Sequence, residues 1–289
     1  MTDNQHEEPR RKRRWRRGEP AVGGRLAFRH RLSTRIWHWL NVLVVFAMLM
    51  SGLMIFNAHP RLYWGEYGAN PDAAFLEIGS SEAVGFLRIG SLRIETTGLL
   101  GIWRDANGHA QRHAFPGWAT IPSTYDLAMG RRWHFFFAWT FVLILGSYLL
   151  WSAVNGHLRK DLAPTRAELM PGHVWQDVKA HARLRFPTGE AALRYNTLQK
   201  LAYLSLLFIL LPLIVLTGLT MSPGLNSGWP WLLDVFGGRQ SARAIHFIAA
   251  FCLVLFIVVH LLMVVLAGPV NETRSMITGW FRLPKERKS

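Results

Sequence analysis

The feature that most constrains the fold is an apolar run from about residue 244 to 267, in which no Asp, Glu, Lys or Arg occurs. A helix of this length, rising about 1.5 Å per residue, spans the roughly 30 Å hydrocarbon core of a bilayer. Runs of similar character cover about 36–56, 133–153 and 198–221, and Pro212 predicts a kink in the last of these. The sequence therefore predicts an all-α integral membrane protein, built as a four-helix transmembrane bundle.

Two histidines, His246 and His260, lie inside the 244–267 run, fourteen residues apart. At 100° per residue their side chains point within about 40° of each other, and they are about 21 Å apart along the helix axis. Ionisable side chains inside a membrane span are costly and mark functional sites. The spacing favours two metal centres, one above the other in the bilayer. The alternative is that both side chains simply bond to neighbouring helices.

The basic residues predict how the chain is oriented. Lys and Arg are concentrated in a tail at 1–35, a loop at 154–197 and a tail at 268–289, whereas the loop at 57–132 is charge-balanced. Because cytoplasmic segments carry the excess of Lys and Arg, we expect both termini in the cytoplasm and the 57–132 loop in the periplasm or outside the cell. The first tail is expected to touch anionic lipid headgroups. Since no recognition motif accompanies the net charge of +15, nucleic acid is not an expected partner.

The 57–132 segment is predicted to form a small ordered cap on the periplasmic face. Its hairpin signals are a pair of short apolar strands around Gly90-Ser91 and the dipeptide Asn107-Gly108. The span that follows is expected to have its N-cap at Ser123 or Thr124.

This orientation assigns a depth to each histidine at the edge of a span. His38 begins a span that leaves the cytoplasm, so we expect it near the inner face, level with His260. His134 begins a span that enters from outside, so we expect it near the outer face, level with His246. The sequence therefore predicts two histidine pairs, one at each side of the membrane. The run at 198–221 contains no histidine.

Two facing histidines with no other ligand favour haem iron. Zinc would need further nitrogen, sulfur or oxygen ligands, and no carboxylate or thiol is placed at either level. Haem iron needs only two axial ligands, and an apolar macrocycle suits a helical bundle. The prediction is two b-type haems with the four histidines as iron ligands, which leaves no open position and indicates electron transfer. With a single cysteine, Cys252, the chain cannot form an internal disulfide or build an iron–sulfur cluster by itself.

Arginines at the ends of the spans are candidates for pairing with haem propionates. The candidates are Arg35 at the inner face and Arg131, Arg132 and Arg243 at the outer face. Simple anchoring at the membrane interface is the alternative for each of them.

Four stretches carry a resemblance to the bacterial cytochrome b561 superfamily. They are Arg35–Trp39, Arg132–His134, Tyr195–Tyr203 and the pair His246 and His260. The chain most resembles, over about residues 25–280, the cytochrome b subunits of nickel–iron hydrogenase, formate dehydrogenase and thiosulfate reductase complexes. The resemblance implies a location in a bacterial inner membrane, the same histidine pairing and a quinone bound near the inner haem. It makes Asn196 and Gln199 candidate quinone contacts, with His260 adjacent.

The function implied is that of a membrane anchor carrying electrons between the quinone pool and a periplasmic oxidoreductase subunit, of molybdopterin or hydrogenase type. The 57–132 loop is longer than in the hydrogenase and formate dehydrogenase members, which favours the thiosulfate-reductase type. The chain is then an electron-transfer subunit and not a catalytic one. One alternative is a stand-alone enzyme that passes electrons from a small periplasmic donor such as superoxide to quinone. Another is a transporter or scaffold without a cofactor.

Overall fold

The computed structural model describes residues 24–184 and 189–283. Most of the predicted basic tail at 1–35 and the end of the tail at 268–289 lie outside the described residues.

Four helical stretches are long and apolar enough to cross a membrane. They are α1 (Leu32–Phe56), α2 (Leu127–Val154), the stretch Thr197–Met221, and the helix Arg239–Ala267. The sequence predicted where each apolar run starts, at about 36, 133 and 244, but the corresponding helices begin four to six residues earlier, at Leu32, Leu127 and Arg239. These first residues are more polar than the runs that follow. Asp126, rather than the predicted Ser123 or Thr124, caps α2, and its side chain accepts a hydrogen bond from the Met129 amide. His38 is therefore the seventh residue of α1 and His134 the eighth residue of α2, about two turns from the start of each helix.

The shorter helices lie between and after these spans. In chain order, the helices after α2 are α3 (Pro171–Ala182), α4 (Thr197–Ser205), α5 (Leu211–Met221), α6 (Pro223–Asn226), α7 (Trp231–Val235), the fourth span α8 (Arg239–Ala267) and α9 (Pro269–Thr278). The third span consists of α4 and α5 joined by a π-helical turn at Leu206–Leu210. Pro212 lies two residues after that turn. A proline, which has no backbone N–H, and a π-helical turn are both usual causes of a helix kink.

The bundle is held together by apolar side chains from all four spans. A buried cluster contains Val44 of α1, Phe141 and Leu145 of α2, Leu211 of α5 and Leu253 of α8. Many other large apolar side chains of the same helices are exposed, as expected for a surface that faces lipid. Along the chain, α1 packs against α2, and α5 packs against α8.

The segment between α1 and α2 forms two antiparallel sheets. The first has strand order β2–β3–β4–β5 and the second is the hairpin β6–β7. The strands, counted from β1 (Leu26–Phe28), are β2 (Arg61–Leu62), β3 (Leu76–Ser81), β4 (Val84–Ile89), β5 (Leu92–Glu95), β6 (Trp103–Arg104) and β7 (Ala110–Gln111). Both predicted hairpins are confirmed, one around Gly90-Ser91 and one around Asn107-Gly108.

This cap packs on the C-terminal end of α1 and the N-terminal end of α8, the side of the bundle that is called outer below, and the opposite side is called inner. The Asn57 side chain, at the end of α1, donates to the Phe115 carbonyl and accepts from the Phe115 amide. Phe56 stacks on Phe247 of α8 with 4.4 Å between ring centroids. At the opposite face, β1 pairs with β8 (Trp280–Arg282), which joins the two ends of the described chain.

Candidate functional site

The four intramembrane histidines lie in two pairs, at the two levels that their depths predict. The rings of His38 and His260 have centroids 6.3 Å apart, and those of His134 and His246 are also 6.3 Å apart. Helix α8 contributes one histidine to each pair, while α1 and α2 contribute one each.

The separation of each pair fits one iron atom between two imidazoles. A metal–nitrogen bond of about 2 Å plus about 1.1 Å from that nitrogen to the ring centre, counted twice, gives about 6.2 Å between centroids. Among the described residues, no group of three or more His, Cys, Asp or Glu side chains is arranged to hold a bare metal ion. The donor set therefore fits haem iron, whose other ligands come from the macrocycle.

At the outer pair, each histidine contacts a hydroxyl on the neighbouring helix. Nδ1 of His134 lies 3.1 Å from Ser51 Oγ, and Nδ1 of His246 lies 3.1 Å from Thr217 Oγ1. Nδ1 of His246 also lies 3.0 Å from the Ile214 carbonyl oxygen, which can only accept. We therefore assign the proton of His246 to Nδ1, which leaves Nε2 free as a ligand.

A glycine follows each of these hydroxyl residues and lies against the same ring. A Cβ added at Gly52 would lie 3.4 Å from Cε1 of His134, and one added at Gly218 would lie 3.4 Å from Cε1 of His246. Larger side chains at these positions would displace the imidazoles. No role was predicted for Ser51 or Thr217. The tripeptide Ser51-Gly52-Leu53 in the first span nevertheless resembles Thr217-Gly218-Leu219 in the third span. This repeated tripeptide is the sequence signal from which the contacts of Ser51 and Thr217 with the histidines could have been predicted.

The inner pair has different surroundings. Nδ1 of His38 is buried without a hydrogen-bond partner among the described residues. The ring of Trp37 stacks on Tyr148 of α2, with centroids 4.1 Å apart. His30, which precedes α1, is only 7% exposed. Burial, followed by the nearby positive charges of Arg29 and Arg35 and the neighbouring imidazole of His38, lowers the pKa of His30 to about 4. The His30 imidazole is therefore neutral at physiological pH.

The four candidate propionate arginines differ in what they contact. Arg35 donates to the Ile277 carbonyl, while its Nε is buried without a partner among the described residues. Arg131 lies over the ring of Phe135, 5.9 Å from its centroid, and Arg132 is exposed. Arg243 makes contacts that the sequence did not predict, because its guanidinium binds the cap.

Both terminal nitrogens of Arg243 donate to carbonyls at the start of the cap. Nη1 donates to the Arg61 carbonyl at 2.7 Å, and Nη2 donates to the His59 carbonyl. Nearby, the Gly65 amide donates to Ser241 Oγ at 2.7 Å. The first turns of α8 therefore link the cap to the helix that carries His246.

The two candidate quinone contacts form the N-terminal capping box of α4. Asn196 Oδ1 accepts from the Gln199 amide at 2.9 Å, and Gln199 Oε1 accepts from the Asn196 amide at 3.2 Å. Beside them, Thr197 Oγ1 is buried without a partner among the described residues. These two side chains therefore stabilise the start of the third span, and the hydroxyl of Thr197 is the free polar atom there.

Two histidines from the segment between α2 and the third span, His157 and His181, pack against the inner end of the bundle. His181 of α3 places Nε2 3.3 Å from Asn196 Nδ2. His157 pairs with Asp161 at 2.6 Å, and its ring lies 6.5 Å from that of Tyr148. The periodicity of short loop segments gives no information about such contacts with the spans.

Comparisons with known proteins agree with this geometry. The profile of a family described as prokaryotic cytochrome b561 matches residues 29–279. The chain is 28% identical over 237 residues to the "Putative protein-methionine-sulfoxide reductase subunit YedZ1" of Azospira oryzae, which covers 80% of this chain and 87% of that protein. No solved structure matches the chain. The predicted four-span membrane architecture is thus confirmed, and the chain belongs to the prokaryotic cytochrome b561 family of membrane proteins that transfer electrons through haem b.

Proposed function

We propose that this protein carries electrons across a bacterial inner membrane through two b haems, between the quinone pool and a periplasmic oxidoreductase subunit. The observation that carries the proposal is the pair of histidine contacts at two depths, each with 6.3 Å between ring centroids. His38 and His260 would hold the inner haem, and His134 and His246 the outer one. When bound, each haem supplies a one-electron carrier.

In this proposal, the histidine pairs would hold the haems, and the surrounding apolar side chains would keep water away from them. The apolar cluster of the bundle excludes water from the space between the two levels. Two histidines would hold each haem and would leave no open position for dioxygen or a substrate, so the haems would supply electron transfer and not catalysis at iron. Both termini are proposed to lie in the cytoplasm, with the cap in the periplasm.

Quinone is proposed to bind at the inner end, near the start of the third span. The capping box uses much of the hydrogen-bonding capacity of Asn196 and Gln199, so we propose that Thr197 Oγ1 supplies a further contact. The exposed Asp161, paired with His157, is suited to exchange protons between the cytoplasm and this region.

The cap is proposed to bind the periplasmic partner and to receive or deliver electrons at the outer haem. It is fixed to α8 three residues before His246, which gives a docked protein a rigid path to that site. The relative from Azospira oryzae is named as a putative subunit of a protein-methionine-sulfoxide reductase. We therefore propose that the partner is an exported reductase, of the molybdopterin type, and that electrons flow outward from quinol.

Anaerobic reduction by a quinol tests this proposal. Purified protein should show the reduced-minus-oxidised bands of b-type haem, and a short-chain quinol should reduce them without any other donor. A colourless protein would contradict the proposal, as would haem that dithionite reduces and quinol does not.

A further inference from the structure

The two halves of the bundle repeat one arrangement around the outer histidines. In the first half, Ser51 of α1 contacts His134 of α2; in the second, Thr217 of α5 contacts His246 of α8. Both contacts measure 3.1 Å. The following glycine stands equally close to the ring in both halves. Since the two halves differ in most other side chains, this agreement points to a shared requirement of the site.

The hydroxyl hydrogens are already committed within their own helices. Ser51 Oγ donates to the Ala47 carbonyl at 2.7 Å, and Thr217 Oγ1 donates to the Leu213 carbonyl at 2.6 Å. Each oxygen is therefore left with lone pairs that accept from Nδ1–H of the facing histidine, and at His246 the Thr217 hydroxyl shares this proton with the Ile214 carbonyl. Such a bond fixes the tautomer and the ring direction, and it makes the other nitrogen a more basic ligand. A more basic ligand stabilises the ferric state over the ferrous one.

We propose that Ser51 and Thr217 are a matched pair of positioning residues, which orient the outer histidines and lower the reduction potential of the outer haem. The inference rests on the proposed haem ligation. It adds two residues that neither coordinate the metal nor carry a charge, and it assigns the third span, which has no histidine, a role at the outer haem.

The same device is missing at the inner level of the described chain. Nδ1 of His38 has no hydrogen-bond partner there. Moreover, the repeat does not extend to the inner ligands: the positions that match His38 and His260 in the other half are Leu204 and Tyr148. Removal of either outer hydroxyl should therefore affect one haem and leave the other unchanged.

Redox titration of the purified full-length protein, followed by optical spectroscopy, tests the proposal. Ser51→Ala and Thr217→Val should each shift the same one of two midpoint potentials upward, and the double variant should shift it further. Electron paramagnetic resonance of the oxidised protein should show a change in one low-spin ferric signal only. Ser51→Thr and Thr217→Ser keep a hydroxyl and should restore the wild-type values.

Thr220→Val is the matched control. Thr220 is as buried as Thr217 and lies one turn further along α5, but its hydroxyl donates to the Thr217 carbonyl and forms no hydrogen bond with a histidine of the described residues. This variant should leave both potentials unchanged. A variant at Ser51 or Thr217 that selectively loses the outer haem, while Thr220→Val retains it, also supports the positioning role.

Several outcomes would overturn the inference. They are unchanged potentials in both hydroxyl variants, equal shifts of both haems, and a shift in Thr220→Val as large as that in Thr217→Val. If the wild-type protein binds two haems and the variants leave both potentials unchanged, the inference fails while the proposed function stands. If the wild-type protein binds no haem, both fail.

Discussion

Replacement of Arg243 by leucine distinguishes its two candidate roles, cap anchor and propionate partner. The guanidinium donates to two backbone carbonyls of the cap and lies 5.5 Å from the ring centroid of Phe56. A hydrogen bond from a charged group contributes about 1.5–3 kcal/mol, so the loss of both weakens cap docking by about 3 kcal/mol or more. Because about 1.4 kcal/mol corresponds to a factor of ten, the population with an undocked cap should rise more than a hundredfold.

Hydrogen exchange measures that population directly. The amides of Gly65, Gln240 and Ser241 form hydrogen bonds across the contact between cap and α8, and they should exchange much faster in Arg243→Leu. The haem content should not change. Arg239→Leu, four residues earlier in the same helix, is the control and should leave these amides protected.

The opposite pattern would refute this reasoning. If Arg243→Leu loses the outer haem while the three amides keep their wild-type protection, the side chain acts on the haem, as the sequence interpretation expected, and not on the cap. Arg243→Lys keeps the positive charge and loses the forked geometry. The amides of Gly65, Gln240 and Ser241 should then exchange at an intermediate rate, because the single side-chain nitrogen of lysine cannot reach both carbonyls as well as the two nitrogens of arginine do.

Three further predictions concern the cap, the outer site and the quinone end. Burial would raise the pKa of the Glu77 carboxyl, but hydrogen bonds from Arg88 and Arg61 hold this pKa below its ordinary value. The stability that Glu77 contributes is therefore complete above its unfolded-state pKa and is lost as the pH falls through the folded-state pKa. Glu77→Gln should accordingly flatten the acid limb of cap unfolding followed by tryptophan fluorescence. Gly218→Ala should bind both haems, because its Cβ would lie at an ordinary contact distance of 3.4 Å from the ring of His246. Gly218→Leu should lose the outer haem, as measured by a pyridine haemochrome assay, because overpacking costs about 1–3 kcal/mol and displaces that ring. Thr197→Val should leave the haem spectra unchanged and slow reduction by quinol in stopped-flow measurements; an unchanged rate would exclude this hydroxyl as a quinone contact.

The sequence predicted the features that follow from membrane thickness and helix geometry. The depth of each histidine follows from the orientation of its span, and the fourteen-residue spacing on α8 follows from the helical repeat. The cap hairpin at Gly90-Ser91 was predictable because a tight two-residue turn needs such residues, and Gly90 has φ of +57°.

Other features depended on contacts between elements that are distant in sequence. Apolarity marks where lipid begins and not where a helix begins, so the N-cap at Asp126 was missed. Thr217 looked like an isolated weakly polar residue in a span, and its role became visible only beside His246. The cap contacts of Arg243, a candidate propionate partner with interfacial anchoring as the alternative, were missed, because no sequence pattern indicated that the cap carbonyls would fold back onto it.

The most direct test of the account is the haem content of variants that remove two histidines at once. If the pairs are His134 with His246 and His38 with His260, then a double His→Leu variant within one pair should still bind one haem b per chain. A double variant across the pairs, such as His134→Leu with His260→Leu, should bind none. The wild-type protein should bind two by pyridine haemochrome assay. A cross-pair variant that keeps one haem, or a within-pair variant that loses both, would contradict the arrangement of two haems at two levels.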